Sequence, residues 1–432
     1  MSSTVTFDSF KMEEDITFQD GLKKNEILHL NLFWGGFLLY AFGSIVTSAA
    51  IADIKLCQAI QLLGFAGMAY ASVFLVKFKM DSGYLRFFFV LYFGWSIITI
   101  FRQQSLTLNY DFVKNFLFGG ANGGLLYVTP IILLFPRSLV YYKKLFDALI
   151  VFAVLYFLLD VVFIKKLLVR GDDIISQSII ESVFEIGIPV SFILLTFLYH
   201  SNRTNLIAAA TIALTLLLVV IRARRGLILI TSTTIFFCYI FYFFGAAKKL
   251  LIVYFSAIVF IGGALYAANL YKLQKSFLGF MYERGTEDTR TNVELYFYDD
   301  MKTNDWIAGR GMDGEYFCPN IEEFQATNYR NVIETGYLQI ILKGGLISLV
   351  LLLLITFPAV ILGIFYSNNI LAKAAGVWIF QFILNLYPQI STTFNLSYIL
   401  VWISVGICYS KEIRTISNES IKNILKNLPG IS

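Results

Sequence analysis

Apolar residues along this chain fall in long, nearly uninterrupted runs divided by short polar stretches, rather than at the spacing of a strand or a half-buried helix. A run of roughly 20 apolar residues is what a helix needs to cross about 30 Å of hydrocarbon. In lipid every backbone N–H and C=O must be paired, which a helix does within itself. The pattern therefore predicts an all-α polytopic membrane protein, a bundle of about 12 transmembrane helices. Spans are expected at 27–50, 56–76, 84–101, 116–136, 145–164, 179–199, 204–221, 226–244, 250–271, 344–366, 371–389 and 394–410. The chain divides into a polar N-terminal segment (1–26), helices over 27–271, one long loop (272–333), further helices over 334–410 and a basic tail (411–432). The first 26 residues hold no apolar core of the kind a cleaved signal peptide carries.

The composition closes off a soluble reading. Of 432 residues, 57% are hydrophobic and only 15% charged, whereas a soluble domain carries about 25% charge to keep its surface wet. The four cysteines (Cys57, Cys238, Cys318, Cys408) make no disulfide or metal pattern. His29 has only Glu26 within a helical turn, and His200 has no acid or cysteine near it in the chain. No metal or other cofactor is expected, and no nucleic-acid partner; the lipid bilayer is the obligatory one.

Lysine and arginine in short loops favour the cytoplasm. With the N-terminus inside, the inner connections hold Lys77 and Lys79, then Arg137, Lys143 and Lys144, then Arg203, then Lys248 and Lys249. The tail adds Lys411, Arg414, Lys422 and Lys426, so both termini are expected to be cytoplasmic and the long loop outside. Lys165, Lys166 and Arg170 fall outside, offset by Asp172 and Asp173. One outer connection opposes the bias outright: Arg222-Ala223-Arg224-Arg225-Gly226, with no acid beside it. Charges at membrane depth mark substrate or ion paths, and the guanidinium fork suits phosphate oxygens. A snorkelling anchor for lipid headgroups is the plainer account, but three arginines in one short turn favour anion binding. The long loop adds Arg284, Arg290, Arg310 and Arg330 among eleven acids, and 292–298 reads as a folded amphipathic segment.

Three pieces together resemble the O-antigen polymerase and ligase superfamily of membrane glycosyltransferases. An Arg-Gly pair opens a helix at Arg225-Gly226. Arg290-Thr291-Asn292 starts a helix-like stretch that ends in Gly309-Arg310-Gly311. Glu334-Thr335-Gly336-Tyr337-Leu338 leads to Lys343-Gly344-Gly345 and the next span. Ligases of this family carry a histidine where this chain has Glu334, which favours a Wzy-type polymerase. The resemblance implies a bacterial inner-membrane enzyme that joins undecaprenyl-pyrophosphate-linked repeat units, as donor and acceptor, into O-antigen or capsular polysaccharide. It also implies a flippase and a chain-length regulator as partners. Arg225 and Arg290 would grip the pyrophosphate and Glu334 would act as base or hold an arginine in place. Arg222, Arg224, Arg284, Arg310 and Tyr337 would bind substrate. No metal is needed in that scheme. A ligase moving finished glycan to lipid A-core is the alternative within the family. A lipid-linked oligosaccharide flippase is the alternative outside it, and internal half-to-half similarity, its usual mark, is missing from the sequence.

Orientation has a direct test. Cysteines placed near Arg224 and near Asp305 are expected to react with an impermeant reagent in intact cells, and one at Lys143 is not. The reverse labelling pattern overturns the orientation.

Overall fold

The computed structural model describes residues 24–50, 52–80, 82–102, 110–168, 174–222, 225–245, 291–319, 327–390 and 392–428. It is a helical bundle with eight helices long and apolar enough to cross a membrane: Asn25–Ser48, Ile54–Leu75, Gly83–Phe101, Leu139–Leu167, Ser178–Leu195, Asn202–Ile221, Gly226–Phe243 and Gly336–Phe365. Three shorter apolar helices, Leu125–Leu134, Ile370–Asn385 and Leu396–Tyr409, complete the described bundle. The protein is therefore an all-helical, multi-pass membrane protein. The span expected at 250–271 lies outside the described residues.

Several helices begin where a polar side chain caps the first free N–H groups. Asp53, Ser82, Ser138, Ser201, Asn369 and Asn395 each accept from a backbone N–H in the first turn of the following helix. The single span expected over 116–136 is different: the chain forms Tyr110–Phe118, turns, and resumes as Leu125–Val128 followed by a 3-10 stretch at Thr129–Leu134. Gly119, Gly120, Gly123 and Gly124 loosen the backbone there, Gly120 with φ of +56°. Pro130 then lacks the N–H that a continuous helix would use.

The first two spans pack backbone to backbone. A Cβ on Gly36 would lie 2.6 Å from the Gly64 oxygen, and one on Gly64 would lie 2.5 Å from the Gly36 oxygen. With no hydrophobic drive between helices in lipid, such close approach supplies the dispersion contact that joins them.

The helix ends sort into two opposite layers. At one, Lys77 N–H donates to Leu134 O (2.7 Å), Lys77 pairs with Glu26 (2.6 Å), Asn368 N–H reaches Arg414 O (2.8 Å) and the Tyr199 hydroxyl donates to Asn418 (2.6 Å). At the other end, Arg102 closes Gly83–Phe101 and meets the folded part of the long loop. That part contains Thr291–Asp300, Thr303–Ala308 and a two-residue antiparallel pairing of Tyr316 with Arg330 and Phe317 with Tyr329. Its core is Val293, Phe297, Met301, Tyr316, Cys318 and Ile333, and it continues onto Leu338, Ile341 and Leu342 of Gly336–Phe365.

The Gly36–Gly64 contact predicts a position-specific cost. Gly64→Leu is expected to destabilise the detergent-solubilised protein by about 3 kcal/mol, since backbone cannot move aside for the new side chain. Gly35→Leu, where a Cβ meets nothing within 4 Å, is expected to be neutral. Thermal unfolding of the two variants makes the comparison; equal melting would remove the close-approach account.

Candidate functional site

Gly336–Phe365 is not one straight helix. Gly345 has φ of +69° and ψ of −176°, a conformation that side chains other than glycine adopt only at a cost. The kink turns nearby carbonyls out of the helical ladder, and each finds another donor. Leu342 O accepts from Arg310 N–H (2.8 Å), Lys343 O from Gly311 N–H (2.9 Å) and Gly344 O from the Trp95 indole (2.8 Å). The turn Gly309-Arg310-Gly311 thus lies against the kink. A Cβ on Gly309 would sit 2.5 Å from Lys343 O, and one on Gly345 would sit 2.1 Å from Ile307 O. Lys343, almost fully buried, donates to Gly314 O at 3.0 Å. Arg102 adds bonds to Ala308 O (2.5 Å) and Gly309 O (2.8 Å).

Arg310 holds this turn rather than facing a ligand. Its Nε donates to Asp305 Oδ2 (3.0 Å). Nη1 donates to Asp300 Oδ2 (2.5 Å) and Glu315 O (2.6 Å), and Nη2 to Asp300 O (2.6 Å) and Asp305 Oδ2 (2.8 Å). All five N–H groups of the guanidinium meet protein acceptors, which differs from the substrate contact that the resemblance implies. Partial burial pushes the Asp300 carboxyl up, but the bonds from Arg310 and from Phe317 N–H, with the Arg310 charge, hold it below its ordinary value.

Glu334 and Tyr337 lie at a second meeting point, which the start of Arg225–Gly245 also reaches. Arg222, buried, caps the end of Asn202–Ile221. Arg225 opens the helix Arg225–Gly245; its side chain, and Arg224, Arg284 and Arg290 altogether, lie outside the described residues. A Cβ on Gly226 would be 3.4 Å from Pro388 O, and one on Gly336 would be 2.5 Å from Gln389 O. Tyr337 N–H donates to Leu386 O at 3.1 Å. The starts of two helices therefore meet one turn, Leu386–Gln389. The start of a third, Thr291–Asp300, joins them, because the Thr335 hydroxyl donates to Glu294 in its first turn. Glu334 is exposed just before buried Thr335, and Tyr337 is half-buried among Tyr298, Glu294 and Tyr387. All three sequence segments singled out for chemistry thus reach the same end of the bundle.

Further polar residues sit deeper. Glu185 accepts from Asn395 Nδ2 (3.2 Å) and lines a cavity of about 40 Å³ with Tyr40, Ser44 and Ser182. Asp160 is buried beside Tyr156, one turn back on the same helix, rather than paired with Lys165 or Lys166. Arg102 and Tyr387 escaped the sequence reading, and of the two only Arg102 carries a signal in the chain, as a further cation beside the apolar runs.

Comparison with protein-family models, curated proteins and solved structures returns no match.

The Arg310 clamp predicts a pH dependence. A carboxyl held below its unfolded value stabilises fully above that value, about pH 4 for aspartate, and its contribution fades as pH falls through the lowered folded value. Hydrogen exchange in 296–318, corrected for intrinsic rates, is expected to be level from pH 7 to 5 and to rise below about pH 4. Asp300→Asn is expected to raise exchange at pH 7 as well, and unchanged protection in that variant would count against the clamp.

Proposed function

We propose that the protein is a membrane glycosyltransferase that polymerises oligosaccharide repeat units carried on undecaprenyl pyrophosphate, at the outer face of a bacterial inner membrane. The observation that carries the reading is that Arg225-Gly226 and Glu334–Tyr337 start helices against the turn Leu386–Gln389, with the helix beginning at Thr291 tied to them through Thr335. Each of the three segments begins a helix, and a helix start presents a partial positive charge to an anion. Added to Arg222–Arg225 and to Arg290 beside Thr291, this makes an end of the bundle suited to a pyrophosphate.

The reaction is a displacement at the anomeric carbon of the donor sugar. A hydroxyl oxygen of the acceptor glycan forms the new C–O bond while the bond to pyrophosphate breaks, its electron pair going to the phosphate oxygen. The hydroxyl proton goes to a base, for which Glu334 is the candidate. Negative charge grows on the departing pyrophosphate, so arginines fixed around it stabilise the transition state more than the ground state. The acceptor is a second lipid-linked glycan.

Substitution separates phosphate grip from surface charge. Lysine keeps the charge but not the fork, and losing one fixed contact to a developing anion costs about 3 kcal/mol, roughly a hundredfold in rate. Arg225→Lys and Arg290→Lys are each expected to abolish long chains while the protein still accumulates in the membrane. Arg330→Lys is expected to behave as wild type, and Glu334→Gln to remove activity if Glu334 is the base. The measurement is chain-length distribution of surface polysaccharide on a gel, normalised to membrane protein. Normal chains from both lysine variants would leave only a headgroup anchor.

A further inference from the structure

Aromatic side chains crowd the outer end beside the helix starts, and their arrangement is not that of a lipid-facing belt. Tyr298 and Trp306 stack in parallel, with ring centroids 5.9 Å apart and planes 8° apart. Trp306 is braced from below by an edge-on contact with the buried Phe297 at 5.7 Å. Tyr298 still keeps 42% of its surface exposed, and Tyr387, on the turn that receives Gly226 and Gly336, keeps 71%. Between them the Tyr337 phenol has Tyr298, Glu294 and Tyr387 as its polar neighbours. Glu294 is oriented by the Thr335 hydroxyl.

We infer that Tyr298, Trp306, Tyr337, Tyr387 and Glu294 form a carbohydrate subsite that holds sugar rings of the growing glycan away from the reacting bond. The chemistry selects this occupant. A sugar ring has one face of polarised C–H bonds, which lie well on the electron-rich face of an aromatic ring, and an edge of hydroxyls that donate to a carboxylate and exchange bonds with phenols. An acyl chain would leave the carboxylate and phenols without partners. The braced Tyr298–Trp306 pair gives up little side-chain freedom on binding, which favours a rigid stacking platform. The position is apt as well, since the subsite adjoins Glu334 through Thr335. The inference rests on the reading of this end as a glycan-transferring site. Its consequence is chain length: a polymer held between additions is extended again, and one not held departs early.

The test has two arms. In the first, the protein in lipid nanodiscs is titrated with oligosaccharide fragments of the host's own surface polysaccharide, with maltodextrin fragments of equal size as control, by saturation-transfer NMR. Wild type is expected to bind the host fragments, and Tyr387→Ala and Tyr298→Ala about tenfold more weakly, the loss of one aromatic contact. Tyr387→Phe, which keeps the ring, is expected to retain most of the binding. Arg290→Lys, defective in transfer, is expected to bind as wild type does. In the second arm, Tyr387→Ala is expected to shorten the polysaccharide without abolishing it. Absence of binding by wild type, or equal binding by Tyr387→Ala, overturns the subsite. Normal chains from the arginine variants together with intact fragment binding would overturn the transferase reading and leave the subsite standing. Lost chains from the arginine variants with wild-type length from Tyr387→Ala would do the reverse.

Discussion

The end of the bundle that carries the folded loop depends on a single backbone requirement: carbonyls released at the Gly345 kink, inside an apolar helix, must find donors. An unmet buried carbonyl costs about 1–3 kcal/mol, and water is scarce where the helix enters the bundle. The donors come from a turn more than 30 residues earlier, Arg310 and Gly311 N–H, and from the Trp95 indole. For those N–H groups to reach, the two backbones must touch, which Gly309 and Gly345 permit and any Cβ would prevent. Once the turn is seated, Arg310 ties Asp300 and Asp305 to it and Lys343 ties Gly314. The folded loop is thus an extension of the kinked helix and not a flap laid over it.

Much of the bundle was legible in the chain, for a physical reason. Hydrocarbon thickness imposes a length and a composition on anything that crosses it, and each of the eight long helices falls on a run of apolar residues. The broken segment over 110–134 was not legible by the same means, because mean hydropathy is blind to the glycines and to Pro130 that punctuate it. The segments of the candidate site were also visible, as arginines placed against the inside bias and as Arg-Gly and Gly-x-Gly pairs. The roles were less so. Arg310 has the neighbours of a substrate arginine in sequence, yet its five donors are taken by the loop itself. Arg102 finds its acceptors, Ala308 and Gly309, some 200 residues away. Tyr387 belongs to no pattern at all and becomes notable only because Gly226 and Gly336 press on its turn.

The arginines on this end divide by what their donors meet. Arg102 and Arg310 are framework: their N–H groups point at main-chain carbonyls and at two aspartates, and they hold the loop to the helices. A cation beside an apolar span is therefore not by itself a ligand contact, since a folded loop needs cations of its own to satisfy carbonyls at its seams. What separates Arg225 from these is its place, at the start of a helix whose Gly226 abuts the same turn as Gly336.

That placement bears on how tightly the donors around a pyrophosphate would be held. Donors that must swing into position give back part of their electrostatic advantage in reorganisation, whereas fixed ones do not. At this end the start of Gly336–Phe365 is fixed by main-chain contact: Gly336 lies so close to Gln389 O that a Cβ would sit 2.5 Å away, and Tyr337 N–H bonds Leu386 O at 3.1 Å. Backbone packed on backbone has no rotamers to relax. The start of Gly336–Phe365 is thus held by main-chain contact, and the kink at Gly345 ties the same helix to the Gly309-Arg310-Gly311 turn.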